Sequence, residues 1–273
     1  MNLTRLAKLL DVTVREEVHV ALTSLFAQGG AFNQTPLTLK EFFTELKLAE
    51  IAKNQLDSSE VFNQGRAVIV TAGPPGAGKS SVLAELSLDG YRLIDPDVIK
   101  DVLLDEADER GLLNYRLKHP LPDQQGHVLQ RELSSHVHHF STTVANWMRE
   151  TALRRGENII IDGSLAWEPL AQQYVRELVD AGYESATVIS VDADEELVVE
   201  RARARWWAGR KKGEPGGRFV PEDIVCASYS GGKSACSRNA AELAERAQDA
   251  LGEGKLLQYR FDPETGTTRH VSG

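Results

Sequence analysis

The stretch Ala67-Val-Ile-Val-Thr-Ala-Gly-Pro-Pro-Gly-Ala-Gly-Lys-Ser-Ser81 decides the fold of this chain. From Gly73 to Ser80 it satisfies the pattern G-x-x-x-x-G-K-[ST], whose glycines let the backbone curl until successive N–H groups point at phosphate oxygens. The apolar run Ala67–Val70 predicts a buried strand before this loop, and Ser81–Leu86 predicts a helix after it. Because the pattern requires this strand–loop–helix context, the stretch predicts a site for a nucleoside triphosphate.

Two side chains of the loop have predicted roles in that site. The ammonium group of Lys79 is expected to reach the β- and γ-phosphates, and the hydroxyl of Ser80 is expected to coordinate Mg²⁺. No motif separates ATP from GTP as the bound nucleotide. The predicted nucleotide-binding residues are Gly73, Pro74, Pro75, Gly76, Ala77, Gly78, Lys79, Ser80 and Ser81.

The composition is that of an ordinary globular protein, with 273 residues, 41% hydrophobic and 26% charged. A net charge of -9 argues against a protein that binds the phosphate backbone of nucleic acid. The two cysteines, Cys226 and Cys236, make no disulfide framework and fit a reducing compartment. Because neither a signal sequence nor a membrane-spanning run is found, we expect a cytoplasmic protein that is not bound to a membrane.

The apolar pattern changes near Gly65. Before it, one helix is predicted over Thr4–Phe26, and another runs through Phe42–Ile51 behind a capping box of Thr38 and Glu41. After it, strands alternate with helices. The predicted strands are Ala67–Thr71, Tyr91–Ile94, Asn158–Asp162, Ala186–Val191 and Leu256–Phe261. The predicted helices are Ser80–Ser87, Leu129–Arg155, Leu170–Ala181, Glu195–Ala208 and Asn239–Leu251.

This alternation predicts an α/β fold, a mostly parallel five-stranded sheet flanked by helices, with an N-terminal helical extension. We therefore predict a helical extension over residues 1–65 and a P-loop domain over residues 66–273. Ligands of such sheets bind beyond the carboxyl ends of the strands, so the candidate site residues are sought there.

Two carboxylates follow the second predicted strand, in Leu93-Ile-Asp-Pro-Asp97. An aspartate beside a phosphate loop can orient an acceptor hydroxyl and accept its proton during phosphoryl transfer. The alternative for either carboxylate is to cap the following helix. We favour Asp97 as the catalytic base and Asp95 as a structural residue.

A further carboxylate ends the predicted strand Asn158–Asp162 and is followed by Gly163 and Ser164. An apolar strand that ends in aspartate resembles a Walker B strand, whose carboxylate holds the Mg²⁺ shell. Asp162 is therefore a candidate metal ligand. Contact between Asp162 and the acceptor is an alternative that the sequence leaves open.

Basic residues are concentrated between Arg201 and Arg218. Arginines on a mobile segment suit neutralisation of the charge on a transferring phosphoryl group. The alternative for any single arginine is a solvated helix face that pairs with glutamates such as Glu196 and Glu200. As a group, at least two of these arginines are predicted to face the phosphates.

Together these motifs resemble the zeta-toxin family of P-loop kinases, from about Arg66 to the C-terminus. The resemblance implies a P-loop kinase-like fold and a P-loop kinase domain over residues 66–273. The family has an Asp-x-Asp with a following basic residue, a His-Val-x-x-aromatic-Ser segment, and a carboxylate-Gly-Thr end of the third strand. The matching segments here are Asp95-Pro-Asp97 with Lys100, His136-Val-His-His-Phe-Ser141, and Asp162-Gly-Ser164.

The resemblance also implies two lid arginines. Arg218, just before a helix start that contains proline, matches the second. The family spacing (218 − 205 = 13) puts the first at Arg205, a gapless match from the preceding strand favours Arg203, and Arg201 stays an alternative. The residues implied as catalytic are Asp97, Lys79, Arg205 and Arg218, and those implied as substrate-binding are Asp97, His136, Asp162 and Ser164.

The resemblance implies a function: ATP- and Mg²⁺-dependent phosphorylation of the 3′-hydroxyl of the UDP-amino sugar UDP-N-acetylglucosamine, by a toxin with a protein antitoxin as partner. The sequence departs from the family at Asn146, because the acidic substrate contact expected on the helix after Ser141 falls near this position. Residues 1–65 are either scaffold, which we favour, or an inhibitory helix. The alternative functions are a kinase with another acceptor, namely a nucleotide, a dinucleotide cofactor or an antibiotic, and a nucleotide-dependent switch without catalysis.

Overall fold

The computed structural model describes residues 3–58, 65–86, 88–230 and 232–271, with side chains from residue 9 onward. Within these ranges, helices α1, α2 and α3 precede the first strand. Their bounds are Leu3–Phe26, Leu37–Phe42 and Glu45–Asp57. No helix in the described part of the chain is long and apolar enough to span a bilayer.

The first predicted helix is confirmed by α1, whereas the second prediction is wrong in detail. Helix α2 begins one residue before Thr38, with Pro36 as its N-cap and no side-chain cap, so the capping box is not formed. The helix predicted through Phe42–Ile51 is split between α2 and α3. At the break, Phe43 has a non-helical ψ of 64°, which ends the first helix.

The described strands form one six-stranded sheet and one two-stranded ladder. The sheet has the order β2-β3-β1-β4-β7-β8, in which β7 and β8 pair antiparallel and the other neighbours pair parallel. Val70 and Ile94 both lie opposite Ile161, so β1, β2 and β3 end at the same edge. The strands β1 to β8 are Val68–Ala72, Arg92–Ile94, Ile159–Ile161, Ser185–Asp192, Tyr229–Ser230, Lys233–Ser234, Glu253–Asp262 and Thr267–His270.

All five predicted strands are present, and the mostly parallel α/β sheet is confirmed. Every residue of β1 is buried, which explains why its sequence is apolar except at Thr71. The sixth strand of the sheet, β8, is short, polar and mostly exposed, so it has no apolar alternation by which a sequence could reveal it.

The five helices predicted after β1 are present with altered bounds, and the last begins at Ala235 instead of Asn239. Three further described helices, Pro96–Glu109, Asn114–Lys118 and Glu222–Cys226, are not among those five. The segment predicted as one helix over Leu129–Arg155 begins as a 3₁₀ helix, Gln130–Val137, and becomes α-helical at His138. The predicted helix Ser80–Ser87 ends at Ala84, and Ser87 itself lies outside the described residues. Helices α4 to α10 are Lys79–Ala84, Pro96–Glu109, His138–Arg154, Pro169–Asp180, Glu195–Arg210, Glu222–Cys226 and Ala235–Leu251, and a further 3₁₀ helix is Asn114–Lys118.

The described residues form two compact units. The helical unit comprises the residues up to Thr44, Lys100–Ser141 and Arg203–Pro221. The sheet unit comprises Glu45–Ile99, Thr142–Ala202 and the residues from Glu222 onward, and it contains every strand named above. The predicted boundary at residue 65 adjoins residues 59–64, which lie outside the description, and it stays a prediction.

The core of the sheet unit fixes where the phosphate loop begins and ends. Ile69 of β1, Ile160 of β3 and Ile189 of β4 are buried together with Val82 of α4. Burial of these side chains stabilises the unit by removing apolar area from water. The loop is therefore held at both of its ends, by β1 and by α4.

The core of the helical unit is aromatic, and α1 contributes to it. His19 and Phe26 of α1 pack against Trp206 and Phe219, with ring centroids 5.8 Å and 5.7 Å apart respectively. Asp11 of α1 also accepts a hydrogen bond from Trp207 Nε1 at 3.0 Å. These contacts are those that a scaffold role for the N-terminal residues predicts.

Candidate active site

The loop between β1 and α4 has the backbone that its glycines predict. Gly73, Gly76 and Gly78 have φ angles of 150°, 92° and 110°, which side chains other than glycine rarely adopt. A Cβ on Gly73 would also lie 2.3 Å from the carbonyl oxygen of Val191, so there is no space for one. Lys79 Nζ donates to the carbonyl oxygen of Gly73 at 2.6 Å, which folds its side chain back along the loop.

Hydrogen bonds join the end of β1 to the end of β3. The buried Thr71 hydroxyl donates to Oδ1 of Asp162 and accepts from the N–H of Gly163 at 3.0 Å. The N–H of Gly73 donates to the carbonyl oxygen of Ser164 at 3.0 Å. The candidate metal ligand Asp162 is therefore fixed beside the start of the phosphate loop. Thr71 was not among the predicted site residues, and its signal in the sequence is a polar residue inside an apolar strand.

Asp95 and Asp97 follow β2 at the same edge of the sheet. Asp95 Oδ1 accepts the N–H of Asp97 at 2.7 Å, and α5 begins at Pro96 between them. This contact is the one that the helix-capping alternative for Asp95 requires. Asp97 is half-buried in the first turn of α5 and stays the candidate base. Since neighbouring strands lie about 4.8 Å apart, the ends of β2 and β1, on either side of β3, are roughly 10 Å apart.

Arg201 of α8 also borders the phosphate loop within the sheet unit. Its guanidinium carbon lies 3.5 Å from the ring centroid of Phe261. A Cβ placed on Gly78 would lie 3.8 Å from Nη2 of Arg201. The same Cβ would lie 2.9 Å from Oγ1 of Thr268. The sequence presents Arg201 as one of three alternatives. Phe261 ends a predicted strand but was not predicted to lie at the site, and the sequence gives no signal for Thr268, because β8 cannot be recognised in it.

The other candidate arginines lie in the helical unit. Arg218 Nη2 forms an ion pair with Asp101 Oδ2 at 2.8 Å. Arg205 is exposed on α8. Arg203 forms an ion pair with Glu16 of α1 at 3.1 Å, so its partner is a glutamate of another helix and not Glu196 or Glu200.

His136 is also in the helical unit, and it is buried. Its Nδ1 lies 2.6 Å from the hydroxyl oxygen of Tyr115, and its Nε2 lies 2.9 Å from the carbonyl oxygen of Phe32. Burial lowers the pKa of His136 below its ordinary value. Both ring nitrogens are engaged inside the unit, so contact between His136 and a substrate stays a prediction that requires this network to open.

Comparison with known families decides the kinship of this chain. The family model described as Zeta toxin matches residues 53–251. The chain belongs to the zeta-toxin family. The resemblance that rests on the phosphate loop, Asp95–Asp97 and Asp162–Ser164 is thereby confirmed.

This zeta-toxin family member is similar in sequence to one curated protein over part of its length, and similar in fold to several solved structures. A calmodulin calcium-dependent NAD kinase of Arabidopsis thaliana is 32% identical over 111 residues, which cover 40% of this chain and 20% of that protein. Two structures of the AvrRxo1-ORF1:ORF2 complex, one with sulphate ions and one with ATP, are each 18% identical to this chain. Their TM-scores are 0.52 and 0.53, and each match covers 95% of this chain. The matches cover 66% and 65% of the AvrRxo1 chain, respectively. A structure of the PezAT toxin–antitoxin system of Streptococcus pneumoniae is 13% identical, with a TM-score of 0.50, over 81% of this chain and 77% of that one.

The chain matches only part of the length of these relatives. The matched region spans a fifth of the length of the NAD kinase, and the chain spans less than two thirds of the length of the AvrRxo1 protein. At 18% identity or less, the likeness to the two solved complexes shows a shared P-loop kinase-like fold.

The residues at the sheet edge fit a nucleotide with Mg²⁺. The Ser80 hydroxyl and the Asp162 carboxylate are oxygen ligands, which Mg²⁺ prefers, and protein sites commonly supply only one or two of them beside phosphates and water. Gly73, Gly76 and Gly78 have φ angles that other residues rarely adopt, and a glycine-rich loop of this kind can turn its backbone N–H groups toward phosphates.

Proposed function

We propose that this chain is an ATP- and Mg²⁺-dependent kinase that phosphorylates a hydroxyl group of a UDP-amino sugar. The observation that carries the proposal is the arrangement at one edge of the sheet, where the phosphate loop follows β1, Asp97 follows β2 and Asp162 follows β3. A nucleotide-dependent switch needs a phosphate loop but no acceptor base. The presence of Asp97 at this edge therefore favours catalysis over the switch.

Each side chain has a role in this proposal. Bound ATP with Mg²⁺ would supply the phosphoryl group and a cation that neutralises charge. Lys79 binds the β- and γ-phosphates, Ser80 and Asp162 hold the metal ion, and Asp97 orients the acceptor hydroxyl and accepts its proton.

The arginines complete the assignment. Arg205 and Arg218 remain the proposed pair that neutralises charge on the transferring group. We add Arg201 as a residue that contacts the bound nucleotide, because it borders Gly78. His136 and Ser164 remain proposed contacts of the acceptor.

Two acceptors are supported by different observations. Membership of the zeta-toxin family supports UDP-N-acetylglucosamine and its 3′-hydroxyl. The 32% identity to an NAD kinase supports a dinucleotide such as NAD as the second candidate. Asn146 favours the dinucleotide over the sugar nucleotide, because the sugar nucleotide predicts an acidic contact near this position. In the structure, Oδ1 of Asn146 instead accepts a hydrogen bond from Arg149 Nη1 at 2.9 Å. The antitoxin in the PezAT system supports an antitoxin protein as a partner.

Mass spectrometry of the purified protein with ATP, Mg²⁺ and each acceptor in turn tests the proposal. We expect one acceptor to become heavier by one phosphoryl group with the wild type. The Lys79→Ala variant is the control, because it keeps the fold of the sheet but lacks the ammonium that binds the phosphates. Transfer to NAD alone would replace the sugar nucleotide as acceptor. Transfer to neither, by a protein that binds ATP, would contradict both assignments.

A further inference from the structure

The segment that follows Asp162 contains a strained residue. Leu165 has a φ of 53° and is 3% exposed, so a bulky buried side chain sits on a backbone conformation that non-glycine residues rarely adopt. Such conformations persist only where surrounding contacts hold them, and they cluster at functional sites. The question is which group holds this one.

Asn239 of α10 holds the segment through one side-chain amide. Its Nδ2 donates to the carbonyl oxygens of Leu165 at 2.8 Å and of Ala166 at 3.2 Å. Asn239 is 6% exposed, so these bonds are shielded from water and a carbonyl left without its donor there would be costly. Because Leu165 and Ala166 are successive residues, the one amide of Asn239 holds the strained turn on the side away from the phosphate loop.

The near side of the same segment is tied to the phosphate loop. Gly73 N–H donates to the Ser164 carbonyl oxygen at 3.0 Å, and the Thr71 hydroxyl bonds Asp162 and Gly163. The residues from Asp162 to Ala166 are therefore held at both ends, by β1 and its loop on one side and by Asn239 on the other.

We propose that Asn239 is a positioning residue for phosphoryl transfer: it holds the strained turn at Leu165 and so fixes Asp162 and Ser164 relative to the phosphate loop. The inference rests on the proposed function of those two residues. Helix α10 packs through Ala240, Leu243, Ala244 and Ala247, which are all buried, so its attachment to the sheet does not depend on Asn239. A misplacement of about 1 Å at a reacting group can cost about 100-fold in rate.

Two variants and one matched control test the proposal in the full chain. Asn239→Ala removes the amide, and Asn239→Asp keeps its shape but replaces the donor nitrogen by an oxygen. Gln248→Ala is the control, because Gln248 also lies on α10 and its Nε2 donates to a backbone carbonyl, that of Gly252 at 2.8 Å, but at the other end of the helix.

Hydrogen–deuterium exchange and kinetics are the two readouts. We expect exchange in residues 163–168 to rise about tenfold in both Asn239 variants, while exchange in β1 and β4 stays at the wild-type rate. We expect kcat to fall about 100-fold, with the Kd for ATP unchanged, and Gln248→Ala to leave both at wild-type values.

Unchanged exchange in residues 163–168 in both variants would overturn the proposal, and so would faster exchange with unchanged kcat. An equal fall in kcat in Gln248→Ala would also overturn it, because the effect would then belong to the helix as a whole. A wild-type protein that transfers no phosphoryl group would defeat the proposed function instead, and the exchange comparison alone would decide whether Asn239 holds the turn.

Discussion

Replacement of Arg210 by methionine removes the centre of a buried charge network in the helical unit. The Arg210 side chain is fully buried, and its guanidinium donates to Glu132 and to Asp123, with shortest distances of 2.7 Å to each. Glu132 is buried as completely and also accepts from Trp206 Nε1 at 2.7 Å. Arg210 is therefore a structural residue within the basic stretch that the sequence assigned to solvent or to phosphates.

The magnitude follows from what the substitution leaves behind. Methionine occupies much of the volume of the arginine stem, so the main loss is the positive charge and not packing. Removal of one partner from a buried ion pair costs about 3–5 kcal/mol, because the other charge stays buried without compensation. We expect Arg210→Met to lower the free energy of unfolding by about this amount at pH 7.

The sign of the pH dependence is also fixed. Burial raises the pKa of Glu132, and Arg210 opposes that rise. Without Arg210 the folded-state pKa of Glu132 rises further above its unfolded value. Protonated Glu132 then favours the folded variant at acid pH, and this stability is lost as the pH rises through the folded pKa. The deficit of Arg210→Met should therefore be smaller near pH 4 than at pH 7.

Urea unfolding followed by tryptophan fluorescence measures both effects. The control is Arg246→Met, since Arg246 pairs with Glu242 at 2.7 Å on an exposed face of α10. It should cost less than about 1 kcal/mol. The double variant Arg210→Met with Glu132→Gln should recover part of the loss. A cost below about 1 kcal/mol for Arg210→Met alone would refute the reasoning.

Three other substitutions or conditions have expected outcomes. Gly73→Ala should abolish ATP binding in calorimetry, because its Cβ would lie 2.3 Å from the Val191 carbonyl oxygen; wild-type affinity would contradict the steric argument. Thr71→Val should lower kcat by about 10–100-fold, since it removes the hydroxyl that holds Asp162, and an unchanged kcat would show that Asp162 needs no such support. His136 should make stability fall as the pH drops from 7 to 5.5, because burial lowers its folded-state pKa and the unfolded chain then binds the extra proton. Urea unfolding of His136→Gln should lack that part of the pH slope.

The sheet edge was predictable because its signals are local. The apolar run of β1, the glycines of its loop and the carboxylates at Asp97 and Asp162 are each recognisable within a few residues of sequence. Parallel strands then bring their carboxyl ends together without further information. The sequence alone therefore predicts the phosphate loop and the two carboxylates at one edge of the sheet.

The remainder depends on contacts between distant segments, which no local pattern encodes. In the sequence Arg210 belongs to a run of basic residues, whereas in the structure its guanidinium is bound by Glu132 and Asp123. In the sequence Asn239 is one residue of a predicted helix, whereas in the structure its amide donates to the turn at Leu165. Thr268 belongs to a strand that has no apolar face, so its position next to Gly78 could not be predicted.

The most direct test of the central claim is single-turnover phosphoryl transfer by wild type and Asp97→Asn, with the Kd for ATP measured on the same preparations. The account predicts that the Kd for ATP is unchanged, because the phosphate loop is intact. It predicts that the transfer rate falls by about 100-fold or more, because asparagine cannot accept the proton of the acceptor hydroxyl. An unchanged transfer rate would contradict the assignment of Asp97 and, with it, the reading of this sheet edge as a kinase active site.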